Sequence, residues 1–210
     1  MARPAIYVLA GVNGAGKSSI GGQVLTDAGM TWFNPDTFAR ALVKDFRYSQ
    51  NEANIAAWGA GVKNLDEAVA AGHSYAFETT LGGNTIVRKL IEASTTHDIV
   101  VWFCSLSNAN QHIARVRQRV SQGGHDIPES KIRERCRTSM ANMLTLLPYA
   151  SEARAYDNSV DVEIGAPVPE PRLVLHVVAG ECKFPLSNAD IHRTPEWAKP
   201  LVELAMSPQP

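Results

Sequence analysis

The sequence has few cysteines, no excess of either charge and no long hydrophobic run. Its three cysteines, Cys104, Cys136 and Cys182, are far apart and form no CxxC pair. This spacing gives no support for a cysteine-based zinc site, and an odd, sparse set of thiols is typical of a reducing compartment. We therefore expect a cytoplasmic protein.

Positive and negative charges are balanced, with 20 Lys and Arg against 21 Asp and Glu. A net charge of −1 gives no electrostatic argument for a nucleic acid or a membrane surface, so neither is expected as a partner. No apolar run approaches the ~18–20 residues that span a bilayer. Apolar residues nevertheless make up 45% of the 210 residues, enough to bury a substantial core in one domain.

Short apolar strands alternate with helical stretches along the chain. Strands are predicted over residues 5–10, 31–34, 74–77, 99–105 and 172–179, and helices over 18–28, 36–46, 50–71, 84–94, 109–121, 128–147 and 196–206. This alternation predicts an α/β fold, with a mostly parallel sheet flanked by helices. The helix over 50–71 carries an apolar stripe that includes Ile55, Trp58 and Leu65. We expect the four tryptophans to lie in the core rather than to serve as stacking platforms.

Residues 11–18 match the phosphate-binding pattern GxxxxGK[ST] between a predicted strand and a predicted helix. The glycines let successive backbone N–H groups face phosphate oxygens, and the helix N-terminus adds partial positive charge. Lys17 is predicted to reach the β- and γ-phosphates of ATP, and the Ser18 hydroxyl to ligate Mg²⁺. The predicted ATP-binding residues are Gly11, Asn13, Gly14, Ala15, Gly16, Lys17, Ser18 and Ser19.

The strand over 99–105 ends in Cys104 and Ser105, without the acid that ATPases of the motor and transporter kind need there. No guanine-selecting NKxD pattern is visible either. Both absences favour a small-molecule kinase, in which a substrate hydroxyl replaces water as the nucleophile.

Acidic and hydroxyl side chains follow two other predicted strands, at the edge of the sheet where ligands bind in open α/β folds. Asp36 could accept the proton of an acceptor hydroxyl or merely cap the following helix. Glu78, Thr79 and Thr80 could bind substrate or metal, or form a simple turn.

Seven of the 20 cationic residues lie between residues 115 and 137. They fall on two predicted helices joined by glycines, which is typical of a hinged lid that places arginines on transferring phosphates. The alternative is a solvated basic face. We predict one kinase domain over 1–210, with a helical lid at 109–147 and a C-terminal strand and helix extension at 165–210.

Six motifs occur in the order seen in zeta-toxin-like kinases, which this sequence resembles over roughly residues 5–160. They are GVNGAGKSS, NPD, FETTL, RVRQRVSQGGHDIP, IRERCRTSMANM and YDNS. The resemblance implies a P-loop kinase fold and transfer of the ATP γ-phosphate to a sugar hydroxyl of UDP-N-acetylglucosamine. It also implies a small helical antitoxin as a partner that covers the nucleotide site.

The resemblance also implies roles for individual residues. Lys17 is similar to the phosphate-binding lysine and Asp36 to the catalytic base. Glu78 and Thr79 resemble sugar-nucleotide contacts. Arg119 and Arg135 resemble lid arginines, with Arg115 and Arg133 as alternates. A kinase with a nucleotide or dinucleotide acceptor, and an ATP-binding regulatory module without turnover, remain as alternative functions.

Overall fold

A computed structural model describes residues 3–17, 21, 25, 30–160 and 169–207. Its strands are β1 (Ala5–Gly11), β2 (Tyr75–Thr79), β3 (Asp98–Ser105), β4 (Glu152–Asp157), β5 (Arg172–Val178) and β6 (Glu181–Phe184). Its helices are α1 (Pro35–Phe46), α2 (Gln50–Ala71), α3 (Asn84–Ala93), α4 (Ala109–Ser121), α5 (Glu129–Leu146), α6 (Asn188–His192) and α7 (Lys199–Met206). None of these helices is long and apolar enough to cross a membrane.

The six strands form one sheet in the order β2-β1-β3-β4-β5-β6. The first four are parallel to their neighbours, and β5 and β6 are antiparallel additions at one edge. In the register, Ala10 lies opposite Thr79 and Gly11 lies opposite Cys104. The carboxyl ends of β1, β2 and β3 therefore reach one rim of the sheet. The predicted α/β class and mostly parallel sheet are confirmed.

The main core lies between the sheet and the helices that cover it. It includes Ile6 and Val8 from β1, Val101 and Phe103 from β3, and Leu90 from α3, each at most 1% exposed. Helix α7 adds Leu201 and other apolar side chains to the same cluster. The C-terminal segment is thus packed into the core of the sheet.

The structure corrects several predicted elements. The predicted strand over 31–34 is a single bridge, Phe33 to Phe77. Strands β4 and β6 were not predicted, because β4 (EARAYD) has only alanines on its buried face and β6 is short and charged. The predicted helix over 196–206 is a 3-10 turn followed by α7. The predicted helix over 18–28 lies almost entirely outside the described residues.

The predicted apolar stripe of α2 is only partly buried. Leu65 is fully buried, but Ile55 and Trp58 are 63% and 56% exposed. The expectation that Trp58 lies in the core is therefore wrong. Helix α2 packs mainly against α1 through small residues, with Ala53 and Ala57 buried against Ala39. Close packing through alanines brings the two helices together, while Ile55 and Trp58 stay exposed.

Candidate functional site

The phosphate-binding loop follows β1 directly and begins the site. Gly14 and Gly16 have φ angles of +82° and +85°, a backbone region that residues with a side chain rarely adopt. A Cβ at Gly14 would lie 3.1 Å from the backbone oxygen of His112, and one at Gly16 would lie 2.4 Å from the Asn158 amide nitrogen. Both glycines therefore allow neighbouring segments to approach the loop closely.

Lys17 is buried at the end of this loop, with 6% of its surface exposed. Its Nζ donates to the Val12 carbonyl oxygen at 3.4 Å and lies 3.4 Å from Glu78 Oε1. Asn34 Nδ2 donates to the second oxygen of Glu78 at 2.9 Å. The β2 carboxylate and the loop lysine, predicted on separate motifs, thus form one buried ion pair.

Asp36 lies in the first turn of α1, but it does not cap the helix. The N-cap is Asn34, whose side-chain oxygen accepts a hydrogen bond from the Thr37 N–H at 3.0 Å. Asn34 therefore caps α1 with its oxygen and holds Glu78 with its nitrogen. This arrangement leaves the Asp36 carboxylate free of a capping role and places it at the rim of the site.

Thr79 and Thr80 end β2 and begin the loop that follows. The Thr79 hydroxyl accepts a hydrogen bond from the Leu81 N–H at 3.0 Å, so it stabilises the turn. Both threonines also line a recess beside the phosphate-binding loop. The turn and the substrate interpretations are therefore compatible at this position.

Two of the predicted lid arginines point to the site from different helices. Arg119 on α4 lies 3.4 Å from Asp36 Oδ2, and Arg135 on α5 donates to Asn13 Oδ1 at 2.7 Å. Burial lowers the pKa of Arg135, and the nearby Asp36 carboxylate opposes that shift. Arg117 instead faces outward, 70% exposed, and pairs with Glu129.

Arg115 and Arg133, the alternative candidates for lid arginines, differ in position. Arg115 lines the cleft and donates to the backbone oxygens of Asn158 at 2.7 Å and Val160 at 2.9 Å. Arg133 donates to Asn110 Oδ1 on the exposed side of α4 and lines neither of the cavities described below. On α5 the structure therefore brings Arg135, and not Arg133, to the phosphate-binding loop.

A cleft of about 750 Å³ opens between the phosphate-binding loop, α1 and the end of α4. A smaller recess of about 200 Å³ adjoins it over β2. Several residues line both cavities: Asn13, Asp36, Asn54, Glu78 and His125. The recess has polar groups at this shared boundary and an apolar wall of Phe33, Trp58, Val62, Phe77, Ile86 and Ile127. The geometry provides two adjoining binding volumes that meet at a pair of carboxylates.

Most of the predicted ATP-binding residues can be placed. Asn13, Gly14, Gly16 and Lys17 line the large cleft. Gly11 and Ala15 belong to the strand end and the buried floor of the loop. Ser18, predicted as the Mg²⁺ ligand, and Ser19 lie outside the described residues.

Sequence reasoning missed three residues around the phosphate-binding loop: Asn34, His112 and Asn158. His112 on α4 is 1% exposed, and its Nδ1 lies 2.9 Å from the Asn13 carbonyl oxygen. Burial lowers its pKa to about 4, against the raising effect of that hydrogen bond and with added repulsion from Lys17 and Arg115. The HIARVRQRV stretch gave no signal for His112, because an isolated histidine on a helix is not a motif.

No protein-family model matches the sequence, and no curated protein matches it. Solved structures do show similarity. A chain of the AvrRxo1-ORF1:AvrRxo1-ORF2 complex with ATP is 16% identical, with a TM-score of 0.66. The corresponding structure with sulphate ions is 17% identical, with a TM-score of 0.65. Both matches cover 92% of this chain and 63% of the other, so this chain spans less than two thirds of their length.

A chain of the PezAT chromosomal toxin–antitoxin system of Streptococcus pneumoniae is also similar. The match has 14% identity and a TM-score of 0.59, and it covers 99% of this chain and 89% of that chain. At such identities the likeness establishes the fold alone. The mostly parallel sheet, the phosphate-binding pattern that follows β1 in the sequence and these likenesses together identify an α/β protein with a P-loop kinase fold.

Proposed function

We propose that this protein is an ATP-dependent kinase that transfers the γ-phosphate to a hydroxyl of a sugar nucleotide, with UDP-N-acetylglucosamine as the leading candidate. The observation that carries the proposal is the position of Asp36, which lines both adjoining cavities. A carboxylate at such a boundary can take the proton of an acceptor hydroxyl in one cavity while that hydroxyl attacks a phosphate held in the other.

The large cleft suits the triphosphate. Gly14, Gly16 and the buried Lys17 line this cleft, and Arg119 borders it from α4. In the transfer, the acceptor oxygen forms a bond to the γ-phosphorus, the bond from that phosphorus to the β,γ-bridging oxygen breaks, and ADP leaves. Lys17, Arg119 and Arg135 then stabilise the charge that spreads over the phosphoryl oxygens.

The residues also fit a Mg²⁺ ion. This ion prefers oxygen ligands and is usually held by one or two carboxylates together with substrate phosphates and water. The Glu78 carboxylate borders the cleft, and the Ser18 hydroxyl follows Lys17 in the sequence. Held by these oxygens, the ion would supply positive charge against the negative charge of the triphosphate.

The recess suits the acceptor. Thr79, Thr80 and Asn54 offer hydroxyl and amide groups to a sugar, and Glu78 and Asp36 stand at the boundary with the cleft. The Trp58 indole forms part of the apolar wall and is more than half exposed, so it can stack on a planar base. An acceptor with both a sugar hydroxyl and a base matches this combination better than a simple polyol does.

Phosphate transfer from γ-labelled ATP tests the proposal directly. The acceptor panel is UDP-N-acetylglucosamine, free UDP, a dinucleotide and glucose, and Lys17→Ala serves as the inactive control. We expect label on UDP-N-acetylglucosamine with the wild type alone. Label on another acceptor would support the kinase activity and show that the acceptor is not UDP-N-acetylglucosamine. Intact ATP binding with no labelled acceptor would favour a regulatory ATP-binding module instead.

A partner belongs to the same proposal. One of the similar chains comes from a complex of AvrRxo1-ORF1 with AvrRxo1-ORF2, and another comes from the PezAT chromosomal toxin–antitoxin system. We propose that a small helical antitoxin binds this protein over the large cleft in the cytoplasm. A neighbouring gene for such a protein, whose product blocks ATP binding by the purified kinase, would support the pairing, and a partner that leaves ATP binding unchanged would contradict it.

A further inference from the structure

Two carbonyl oxygens of the phosphate-binding loop accept hydrogen bonds from side chains outside the loop. The Asn13 oxygen lies 2.9 Å from Nδ1 of His112 on α4. The Ala15 oxygen accepts from Nδ2 of Asn158, the residue after β4, at 3.0 Å. Because a carbonyl oxygen can only accept, the His112 ring carries its hydrogen on Nδ1.

The direction of these bonds bears on phosphate binding. In a planar trans peptide, the carbonyl of one residue and the N–H of the next point in opposite directions. Because the Asn13 oxygen is held against α4, the Gly14 N–H points away from α4. Because the Ala15 oxygen is held against Asn158, the Gly16 N–H points away from Asn158. Gly14 and Gly16 both line the large cleft.

Both side chains are themselves held in place. Helix α4 is capped by Asn108 and packs on Val12 through Ile113 and Val116. The Asn158 N–H donates to the Ser105 oxygen at 3.0 Å, and its own carbonyl accepts from Arg115 at 2.7 Å. The two donors therefore stand on α4 and at the end of β4, and each is held by contacts of its own.

We propose that His112 and Asn158 are positioning residues that preform the phosphate-binding loop for a triphosphate. They act through the backbone of the loop and do not touch the nucleotide. Preforming removes the cost of ordering the loop when ATP binds. Burial keeps His112 uncharged over the physiological pH range, so its bond to the Asn13 oxygen joins two neutral groups. This inference rests only on the ATP-binding half of the proposed function.

Four variants test it, with the affinity for ATP and Mg²⁺ measured by calorimetry without any acceptor. His112→Leu and Asn158→Ala each remove one donor. His112→Asn keeps an N–H donor close to the Nδ1 position. His97→Leu is the matched control, because His97 is equally buried but precedes β3 at the opposite end of the sheet.

We expect His112→Leu and Asn158→Ala to weaken ATP binding about five- to tenfold, the scale of one lost hydrogen bond. His112→Asn should stay within about twofold of the wild type, as expected when a conservative donor replaces the lost one. His97→Leu should lower the melting temperature without changing the affinity. In nuclear magnetic resonance spectra of the nucleotide-free protein, the amide signals of Gly14 and Gly16 should shift in both donor-deleted variants.

Wild-type affinity in His112→Leu and Asn158→Ala would overturn the inference, as would a loss in His112→Asn equal to that in His112→Leu. If His112→Leu does not fold, His112→Asn and Asn158→Ala carry the test. Lys17→Ala separates this inference from the proposed function. If Lys17→Ala abolishes ATP binding while the positioning variants do not change it, the kinase proposal stands and the inference fails.

Discussion

Lys17 and Glu78 form a buried ion pair, with 3.4 Å between the ammonium nitrogen and the nearer carboxylate oxygen. The pair joins the phosphate-binding loop to the end of β2. It keeps a positive charge on the floor of a cleft whose other wall carries Asp36. Removal of either partner would leave the other charge buried without its counterion, which is costly in a folded protein.

Lys17→Ala should abolish tight ATP binding, because it removes the charge that faces the β- and γ-phosphates. Calorimetry with ATP and Mg²⁺ measures this loss. Lys63→Ala is the matched control, since Lys63 forms an exposed pair with Glu67 on α2 and lies away from the cleft. Unchanged ATP affinity in Lys17→Ala would contradict the assignment of the loop.

The lid arginines should affect the rate more than ATP binding, because they act on charge that develops during transfer. Arg119→Ala and Arg135→Ala should each lower the single-turnover rate at saturating ATP on the order of 10²-fold or more. Lysine at position 119 should restore only part of the loss, since it lacks the planar fork of arginine.

Arg117→Ala is the matched control for the lid, because Arg117 lies two residues from Arg119 but faces solvent and pairs with Glu129. Arg117→Ala should leave the single-turnover rate nearly unchanged. Equal damage from Arg117→Ala and Arg119→Ala would show that the face of α4 has been assigned wrongly. If none of these arginines matters, the lid is only a basic surface.

Trp58→Ala should raise the KM for the acceptor about tenfold, since stacking of a base on an aromatic ring contributes ~1–3 kcal/mol. The KM for ATP should not change. Ile55→Ala, on an exposed part of the same helix outside the recess, is the control. A normal KM for the acceptor in Trp58→Ala would show that the base of the acceptor does not stack on Trp58 in the recess.

The stability of the folded protein should fall as the pH drops below 6.5, in part because of His112. Its pKa is lowered from 6.5 to about 4 in the folded state, so the unfolded chain binds a proton in this window and the folded chain does not. At pH 5 this single group should lower the free energy of unfolding by about 2 kcal/mol relative to neutral pH.

Urea unfolding of the wild type and His112→Asn at pH 7.5 and pH 5 measures this contribution. The difference in the free energy of unfolding between the two proteins should become smaller or change sign at pH 5, because Asn does not titrate. A constant difference across that interval would mean that His112 is not held uncharged in the folded protein.

Much of the fold could be predicted from the sequence because its signals are local. The GxxxxGK pattern after an apolar strand, the buried run of β3 and the glycine after α2 each depend on neighbouring residues. Strand β4 could not be predicted, since its buried residues are Ala153 and Ala155, and alanine favours strands poorly.

The candidate site likewise contains residues that local sequence patterns predict and residues that they do not. Lys17 follows β1, Glu78 lies near the end of β2, and Asp36 follows the bridge from Phe33 to Phe77, so the order of the strands brings the three residues together. His112 and Asn158 contact the loop from 99 and 143 residues away along the chain, and each contact depends on packing that no local pattern records. The capping role also went to Asn34 rather than Asp36, a choice between two equally suitable residues that only the geometry of α1 decides.

The most direct test of the kinase proposal is single-turnover phosphate transfer to UDP-N-acetylglucosamine by Asp36→Asn. Asp36 does not cap α1, and its contact with Arg119 is long and largely exposed, so the variant should fold normally. It should bind ATP with wild-type affinity and transfer phosphate about 10²–10⁴ times more slowly, as expected when a general base is removed. A folded Asp36→Asn protein that transfers phosphate at a near-normal rate would contradict the assignment of Asp36 as the catalytic base.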